Sequence, residues 1–356
     1  MIHVIRHSVV MAVLACLVWA GPALAEGADS PPTPAPSGIA VDNEGNVYVS
    51  DYALDRVVKF GADGSVLAQW GGSGSGQGQF NAPFGVAVDA SDTVFVVDQL
   101  NNRVQRFATD GTVLSAWGAP GAGPGELRTP FGVAVSGGHV YVADFGNDRV
   151  QVFGMDGSLV LSFGRRGSGD GQFQRPAGIA LAPDGIVYVT DHFNDRVERF
   201  GGEGKFVGQL GGGQASASPT ATPLASAAPT TTPTTVVLSA AAPAMAAMPI
   251  VATAAAVPDS QLRRPEGIAV DHDGDVWVAD YGRDRIVKFA PDGRLLLSWG
   301  SRGSGQGEFL GPKGVAIDPS SGRVYVADTG NARVQRIAPD GTLEATWPMP
   351  PLPSAS

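Results

Sequence analysis

Pro83-Phe84-Gly85-Val86-Ala87-Val88 is one of six versions of a single phrase in this chain. The others are Pro36-Ser-Gly-Ile-Ala-Val41, Pro130-Phe-Gly-Val-Ala-Val135, Pro176-Ala-Gly-Ile-Ala-Leu181, Pro265-Glu-Gly-Ile-Ala-Val270 and Pro312-Lys-Gly-Val-Ala-Ile317. Their glycines, Gly38, Gly85, Gly132, Gly178, Gly267 and Gly314, are spaced by 47, 47, 46, 89 and 47 residues. Self-similarity at such a period marks a repeat architecture. It also aligns the chain against itself: residues common to all copies are framework, and residues that differ are free for recognition.

Working outward from residues 83–88, three further apolar runs follow: Val94-Phe-Val-Val97, Arg103-Val-Gln-Arg-Phe107 and residues 113–117. They are separated by Asp89-Ala-Ser-Asp92, Asp98-Gln-Leu-Asn-Asn102 and Thr109-Asp-Gly111. Short runs of Val, Ile and aromatics punctuated by Asp, Asn and Gly predict four antiparallel strands joined by tight turns. One such unit leaves an apolar face uncovered, and radial stacking covers it while leaving only short edges. A parallel β-helix has shorter coils and parallel strands. The prediction is therefore all-β: a six-bladed β-propeller of four-stranded antiparallel blades over residues 36–347. Each blade holds its own four strands, so blade six closes on blade one without a strand donated from the other terminus.

The repeat resembles the NHL family of propeller repeats. The resemblance rests on P-x-G-[IV]-A-[VIL], a V-Y-V-A-D-like strand, R-V-Q-x-F, an acidic-Gly turn and a closing aromatic-Gly. Tyr141-Val-Ala-Asp144-Phe-Gly-Asn-Asp-Arg149-Val-Gln-Val-Phe153 is its clearest single copy. The resemblance implies fold far more than activity, because one fold hosts many activities.

The chain carries 24 basic and 34 acidic residues, a net charge of −10. Some NHL propellers bind RNA through a basic face; here no basic stripe stands out, only the doublets Arg165-Arg166 and Arg263-Arg264. Phosphate backbones need such a stripe, so nucleic acid is not an expected partner. Residues 1–25 combine Arg6, an apolar stretch over 9–20, a Gly21-Pro22 break and Ala23-Leu24-Ala25. This is the pattern of a secretory signal peptide cleaved after Ala25, and the stretch is short for a membrane span. The expected location is secreted or extracytoplasmic. Val13-Leu14-Ala15-Cys16 loosely matches a lipidation site, the alternative being an anchored N-terminus. Cys16 is the only cysteine, so the mature chain has no disulfide, Cys ligand or Cys nucleophile.

Residues 26–35 form a Pro-rich leader, and residues 348–356 read as a disordered tail. In four blades the closing aromatic precedes the next loop's apolar anchor by ten residues, as from Trp70 to Phe80; from Leu210 to Leu262 the interval is 52. Blade four is thus followed by a 42-residue insert, within 212–259, almost wholly Ala, Pro, Thr, Ser and Gly. Such a composition buries too little apolar area to order itself and reads as flexible. Val236-Val-Leu238 and residues 245–251 are the apolar exceptions that would serve a lid.

Asp51/Arg56, Asp98/Arg103, Asp144/Arg149, Asp191/Arg196, Asp280/Arg285 and Asp328/Arg333 recur in all six blades. They read as structural ion pairs, bidentate across a tight turn, since an active site needs asymmetry. Trp70, Trp117, Phe163, Trp299 and Trp347 end the fourth strands and should pack between blades. The Gly-Ser-Gly-x-Gly-Gln-Phe type connectors lead from strand to strand, with no helix to receive a phosphate. Asp271-His-Asp273-Gly-Asp275 has the spacing of a calcium-loop start but lacks the distal Glu and reads as a turn.

Two variable columns fall on one face. The middle residue of P-x-G is Ser37, Phe84, Phe131, Ala177, Glu266 or Lys313. The residue after the ion-pair Asp is Tyr52, Gln99, Phe145, His192, Tyr281 or Thr329. Tyr52, Phe84, Phe131, Phe145, His192 and Tyr281 would ring one mouth, with Glu266 and Lys313 on adjacent blades. Aromatic groups around a concave opening suit a sugar or peptide, and the charged pair would orient it. Phe84 and Phe131 equally suit a plug in the channel. His192, alone on its turn, reads as a polar surface group. No catalytic residue, metal-ligand set or cofactor motif is read. The expectation is a non-catalytic scaffold for a protein, peptide or glycan. The alternative is a propeller enzyme of the lyase or lactonase type with a metal in the channel. The zinc lyases that resemble this fold hold metal with histidines just before the third strand. The matching positions here are Asp55, Asn102, Asp148, Asp195, Asp284 and Ala332, none of them His.

Overall fold

The computed structural model describes residues 32–212 and 259–352. The expected signal peptide, most of the leader and insert, and residues 353–356 lie outside the described residues. Six four-stranded antiparallel sheets cover residues 36–71, 83–117, 133–163, 176–210, 265–299 and 312–348. In every sheet the strands lie in chain order, so each blade is a simple meander. Blade two shows the rule: Pro83–Val88 innermost, then Val94–Asp98, Arg103–Phe107 and, outermost, Val113–Trp117.

Burial explains the sequence of each strand. Second strands such as Val-Phe-Val-Val-Asp are buried at every residue, being covered on both faces by neighbouring blades. They therefore read as continuous apolar runs rather than as an alternation. Fourth strands alternate half-buried and exposed residues, as an edge facing solvent on one side must. The first strands form the inner ring, and the shared glycine allows it. A Cβ on Gly85 would run into the carbonyl oxygen of Phe131 in the next blade; the same collision recurs around the circle until Gly314 meets Ser37. Only glycine lets six strands approach the axis this closely.

The core lies between blades. Tyr48, Val57, Phe80, Val94, Val96 and Phe107 join blades one and two, with Trp70 packed against them. The closing aromatics bridge as expected. Trp70 reaches Phe107 at 6.0 Å, and Trp347 stacks on Phe60 at 5.8 Å, which joins the last blade to the first. Ring closure needs no exchanged strand.

The six Asp/Arg pairs all form, at 2.6–3.1 Å, with each carboxylate fully buried. Their geometry corrects the bidentate expectation at Arg56, Arg103, Arg149, Arg196, Arg285 and Arg333 alike. A single carboxylate oxygen takes the Arg Nε, as Asp280 does from Arg285 at 2.7 Å and Asp328 from Arg333 at 2.6 Å. The other oxygen accepts a backbone amide at the entry to the blade, as Asp98 does from Asn81, Asp280 from Arg263 and Asp328 from Leu310. Except at Arg56, whose Nη2 also lies 3.1 Å from Asp51 Oδ2, the guanidinium tips then turn away from the Asp. Arg103 donates to the carbonyls of Gly76 and Gln79, and Arg333 to those of Ser304, Gly305 and Glu308. Arg285 donates to the Asp259 and Gln261 carbonyls and to the Ser298 hydroxyl. Arg56 and Arg196 are buried, whereas Arg103, Arg149, Arg285 and Arg333 are only half-buried. Desolvating both carboxylate oxygens demands a donor for each, and the connector supplies the second. The pair is a clamp on the preceding connector.

Two more residues complete that clamp, and the sequence reading passed over both. Asn101, Asn147, Asn194 and Asn331 each donate to the ion-pair Asp and to a connector carbonyl. Gln105, Gln151 and Gln335 accept a connector amide and donate to a connector carbonyl. In blade four the third member is Glu198, whose Oε1 accepts from Gly171 while Oε2 is buried without a partner. Burial pushes the Glu198 carboxyl up to about 8, against the pull of Arg196. The signal was D-x-x-N-x-R-x-[QE], present in blades two, three, four and six. Blades one and five have Leu54/Val58 and Arg283/Val287 instead. Those are the two blades not preceded by a Gly-rich connector. There Arg56 turns to the carbonyls of Pro350 and Pro351, and Arg283 pairs with Asp259 at 2.9 Å. Residues 348–352, read as part of a disordered tail, thus complete the ring: Pro348 ends the last strand and Met349 is buried.

Candidate functional site

Second-to-third-strand turns and blade-to-blade connectors emerge at one end of the ring and bond to each other, as Gly146 N does to Arg128 O at 2.8 Å. The two variable columns meet there. The structure sorts their residues into two unlike groups.

On the side of blades two to four, Phe84 lies 4.2 Å from Phe131, and Phe131 stacks on Phe145 at 4.0 Å with an 11° interplanar angle. All three rings are buried, together with Ala177. Arg175 covers Phe145 at 5.3 Å and donates from Nη1 to its carbonyl oxygen. This side is a packed plug.

On the side of blades five, six and one, the groups are polar and loosely engaged. The Lys313 ammonium sits 4.8 Å from the Tyr52 ring centre, 5.2 Å from Phe84 and 6.0 Å from Tyr281. Tyr52 is 37 % exposed. Glu266 is only 6 % exposed, yet its Oε2 has no hydrogen-bond partner. With Ser37, Phe84, Ala177, Lys313 and the six ring glycines it lines an axial cavity of about 60 Å³. Glu266 and Lys313 were read as a charged pair; among the described residues no ion pair joins them, and Lys313 takes the aromatic faces instead.

His192 departs from its reading as a surface group. It is buried, with Phe193 at 4.7 Å, Phe145 at 6.2 Å and Tyr281 at 6.5 Å. Its Nδ1 lies 3.3 Å from the Pro265 carbonyl, which can only accept, so Nδ1 carries the proton. Burial lowers the His192 pKa, opposed by the nearby Glu266 carboxylate, and the ring is neutral at pH 7. Burial likewise raises the Tyr281 phenol, with Glu266 adding to the effect. Of the other turn-column residues, Thr329 is spent on the seam, donating to the Pro36 carbonyl at 2.6 Å.

A third variable column escaped the sequence reading: the residue before each Pro, namely Ala35, Ala82, Thr129, Arg175, Arg264 and Gly311. It brings Arg175 to the mouth, and Arg264 close enough to act on His192 and Tyr281. Lying outside the repeated phrase, it was masked by its own variability.

The positions matched to zinc ligands serve another purpose. Asp55, Asn102, Asp148, Asp195 and Asp284 occupy left-handed backbone, and each side chain accepts the amide of the residue before the next blade's Pro, at 2.7–2.8 Å. The sixth, Ala332, faces the seam where no connector arrives. Among the described residues, no three His, Cys, Asp or Glu side chains converge as metal ligands. The donors present therefore do not fit a zinc centre. At 271–275, Asp271 accepts the amides of Asp273 and Asp275, and Lys288 bridges the carboxylates of Asp271 and Asp275 at 3.0 and 2.8 Å. That segment is a turn closed by a lysine.

A model of the NHL repeat matches residues 127–153, 262–289 and 309–337. Those three stretches match the NHL repeat, and with six four-stranded sheets in a ring the chain is a six-bladed β-propeller. No match was found among curated proteins. Similar solved structures include virginiamycin B lyase from Staphylococcus aureus, at 14 % identity and TM-score 0.52 over 88 % of this chain and 84 % of that one. A gluconolactonase from Xanthomonas campestris gives 17 % identity and TM-score 0.54, with 84 % of each chain covered. Hydrazine synthase from Kuenenia stuttgartiensis gives 13 % and 0.54, over 88 % and 98 %. At these identities the likeness is one of fold.

Proposed function

We propose that this chain is an exported, non-catalytic propeller that captures a peptide, glycan or protein at the mouth formed by blades five, six and one. The observation that carries the reading is an imbalance in how polar groups are used. The recurring Asp, Arg, Asn and Gln side chains bind connectors, whereas Glu266 holds a buried oxygen with no partner and Lys313 rests on ring faces alone. Burying such groups without partners costs stability unless a ligand completes them. Tyr52 and Tyr281 add ring faces at the rim, suited to stacking on a sugar or a side chain. The lyase and gluconolactonase likeness keeps a catalytic propeller in view. Against it stands the use of the ligand-equivalent carboxylates as acceptors for backbone amides.

Glycan and peptide arrays test the reading, with a Tyr52→Ala/Tyr281→Ala double variant as control. The expected result is capture by the native chain and loss of at least about tenfold in the variant, with little change in melting temperature. Unchanged capture by the variant, or a stoichiometric metal in the purified protein, would overturn it.

A further inference from the structure

Taking the mouth as the binding site, we infer that its innermost seat recognises a zwitterion of the α-amino acid type, an ammonium and a carboxylate one carbon apart. Two charges on adjacent blades define the seat, and each lacks a partner. Glu266 is an acceptor over nine-tenths buried, facing the axial cavity, with Oε2 unbonded. Lys313 is a donor with no hydrogen bond or ion pair among the described residues, held over Tyr52, Phe84 and Tyr281.

Complementarity selects between ligands. A simple amine entering toward Glu266 meets the Lys313 charge beside it, and a simple acid approaching Lys313 lies beside Glu266. Like charges side by side in the mouth disfavour each such ligand. A ligand bearing both signs satisfies both residues at once. His192 does not neutralise Glu266, because burial keeps the imidazole uncharged and Nδ1 is committed to Pro265. Arg264 lies near His192 and Tyr281, Asp195 near His192 and Asp284 near Tyr281, so charges of both signs flank the seat.

Size sets the orientation. A cavity of about 60 Å³ has room for a few heavy atoms, enough for an ammonium and its carbon but not for a large side chain. The ammonium therefore enters toward Glu266, the carboxylate stays at the level of Lys313, and the side chain points outward past exposed Tyr52. The Tyr52 and Tyr281 rings then contact that side chain, favouring aromatic or aliphatic ones.

Isothermal titration calorimetry with L-phenylalanine tests this on the full chain. N-acetyl-L-phenylalanine removes the positive charge, and L-phenylalanine amide removes the negative one. The expected result is binding of the free amino acid, with at least about tenfold loss for each derivative. Glu266→Gln, a near-isosteric change, should weaken the amino acid by a similar factor while the chain stays folded. Equal binding of either derivative, unchanged binding by Glu266→Gln, or no heat from the amino acid up to about 10 mM would overturn the inference. In the last case, array capture that still depends on Tyr52 and Tyr281 would leave the broader binding reading standing. Loss of array capture as well would remove both.

Discussion

The two sides of the mouth are built from the same two columns of the repeat, yet they do opposite things. Around blades two to four, Phe131 stacks on Phe145, Phe84 leans against Phe131, and all three rings are buried. Around blades five, six and one, the same positions hold Glu266, Lys313, Tyr52 and Tyr281, and none of these charges is cancelled by a neighbour. One side packs the ring, and the other holds the groups on which the proposed capture rests. On that proposal, a repeat protein gains a site by substituting within a column while leaving the frame intact.

The sharpest way to break this distinction is Phe131→Ala. If the phenyl stack is structural, removing its central ring should destabilise the protein by about 3–5 kcal/mol, read as a lower midpoint in urea unfolding. Captured ligand per folded molecule should not change. A stable Phe131→Ala chain that no longer binds would reverse the roles of the two sides.

The packed side also holds a titrating group, and pH sharpens the comparison. Glu198 replaces a Gln found in three other clamps, and its folded-state pKa of about 8 lies above the usual 4.5. The folded chain therefore binds this proton more tightly than the unfolded chain. Its contribution is fullest below about pH 4.5 and declines as pH rises toward 8. His192 slopes the other way: its folded pKa is lowered, so its contribution is present above pH 6.5 and lost as pH falls below it. Glu198→Gln should flatten the alkaline decline and raise stability at pH 8 by on the order of 2 kcal/mol, measured by thermal melts between pH 5 and 9. Equal slopes in both proteins would show that Glu198 is ionised and solvated.

The smallest effect is expected on the open side. Lys313→Met should shift unfolding by no more than about 0.5 kcal/mol, because no ion pair is lost, while capture of the ligand falls. A large loss of stability would mean that the ammonium is the keystone of the aromatic rim and not an unfilled donor.

Much of this was legible in the chain because periodicity reports on packing. The inner glycine, the Asp/Arg pair and the closing aromatic recur because every blade meets the same neighbours, so six copies disclosed six blades and the order of strands in each. What periodicity could not disclose is which side chains meet across blades. Phe84, Phe131 and Phe145 look equivalent to Tyr52 and Tyr281 in a column of aromatics, and only their stacking distances separate plug from rim. His192 looked exposed because its turn is polar; the rings of Phe145 and Tyr281 from neighbouring blades, with adjacent Phe193, cover it. The clamp residues Asn101 and Gln105 were visible in the repeat but silent, since the connector groups they hold are backbone carbonyls and amides that leave no mark in the sequence. For the same reason Arg285 and Arg333 read as partners of one Asp each, although most of their donors go to backbone carbonyls of the connector.

The absence of the clamp's Asn and Gln members from blades one and five divides the circle into two arcs, residues 32–212 with four blades and 259–352 with two. Within each arc every blade is fastened to the next by a connector. Between the arcs, fastening relies on packing such as Trp347 on Phe60, on Arg56 with the Pro350 and Pro351 carbonyls, and on Leu210 and Leu262 with the blade-five core. A chain organised this way is a natural split protein. The two arcs, expressed as separate polypeptides, should dock through preformed edges and rebuild the ring, and the mouth, which draws Tyr52 from one arc and Lys313 and Glu266 from the other, would regain its ligand only when they do.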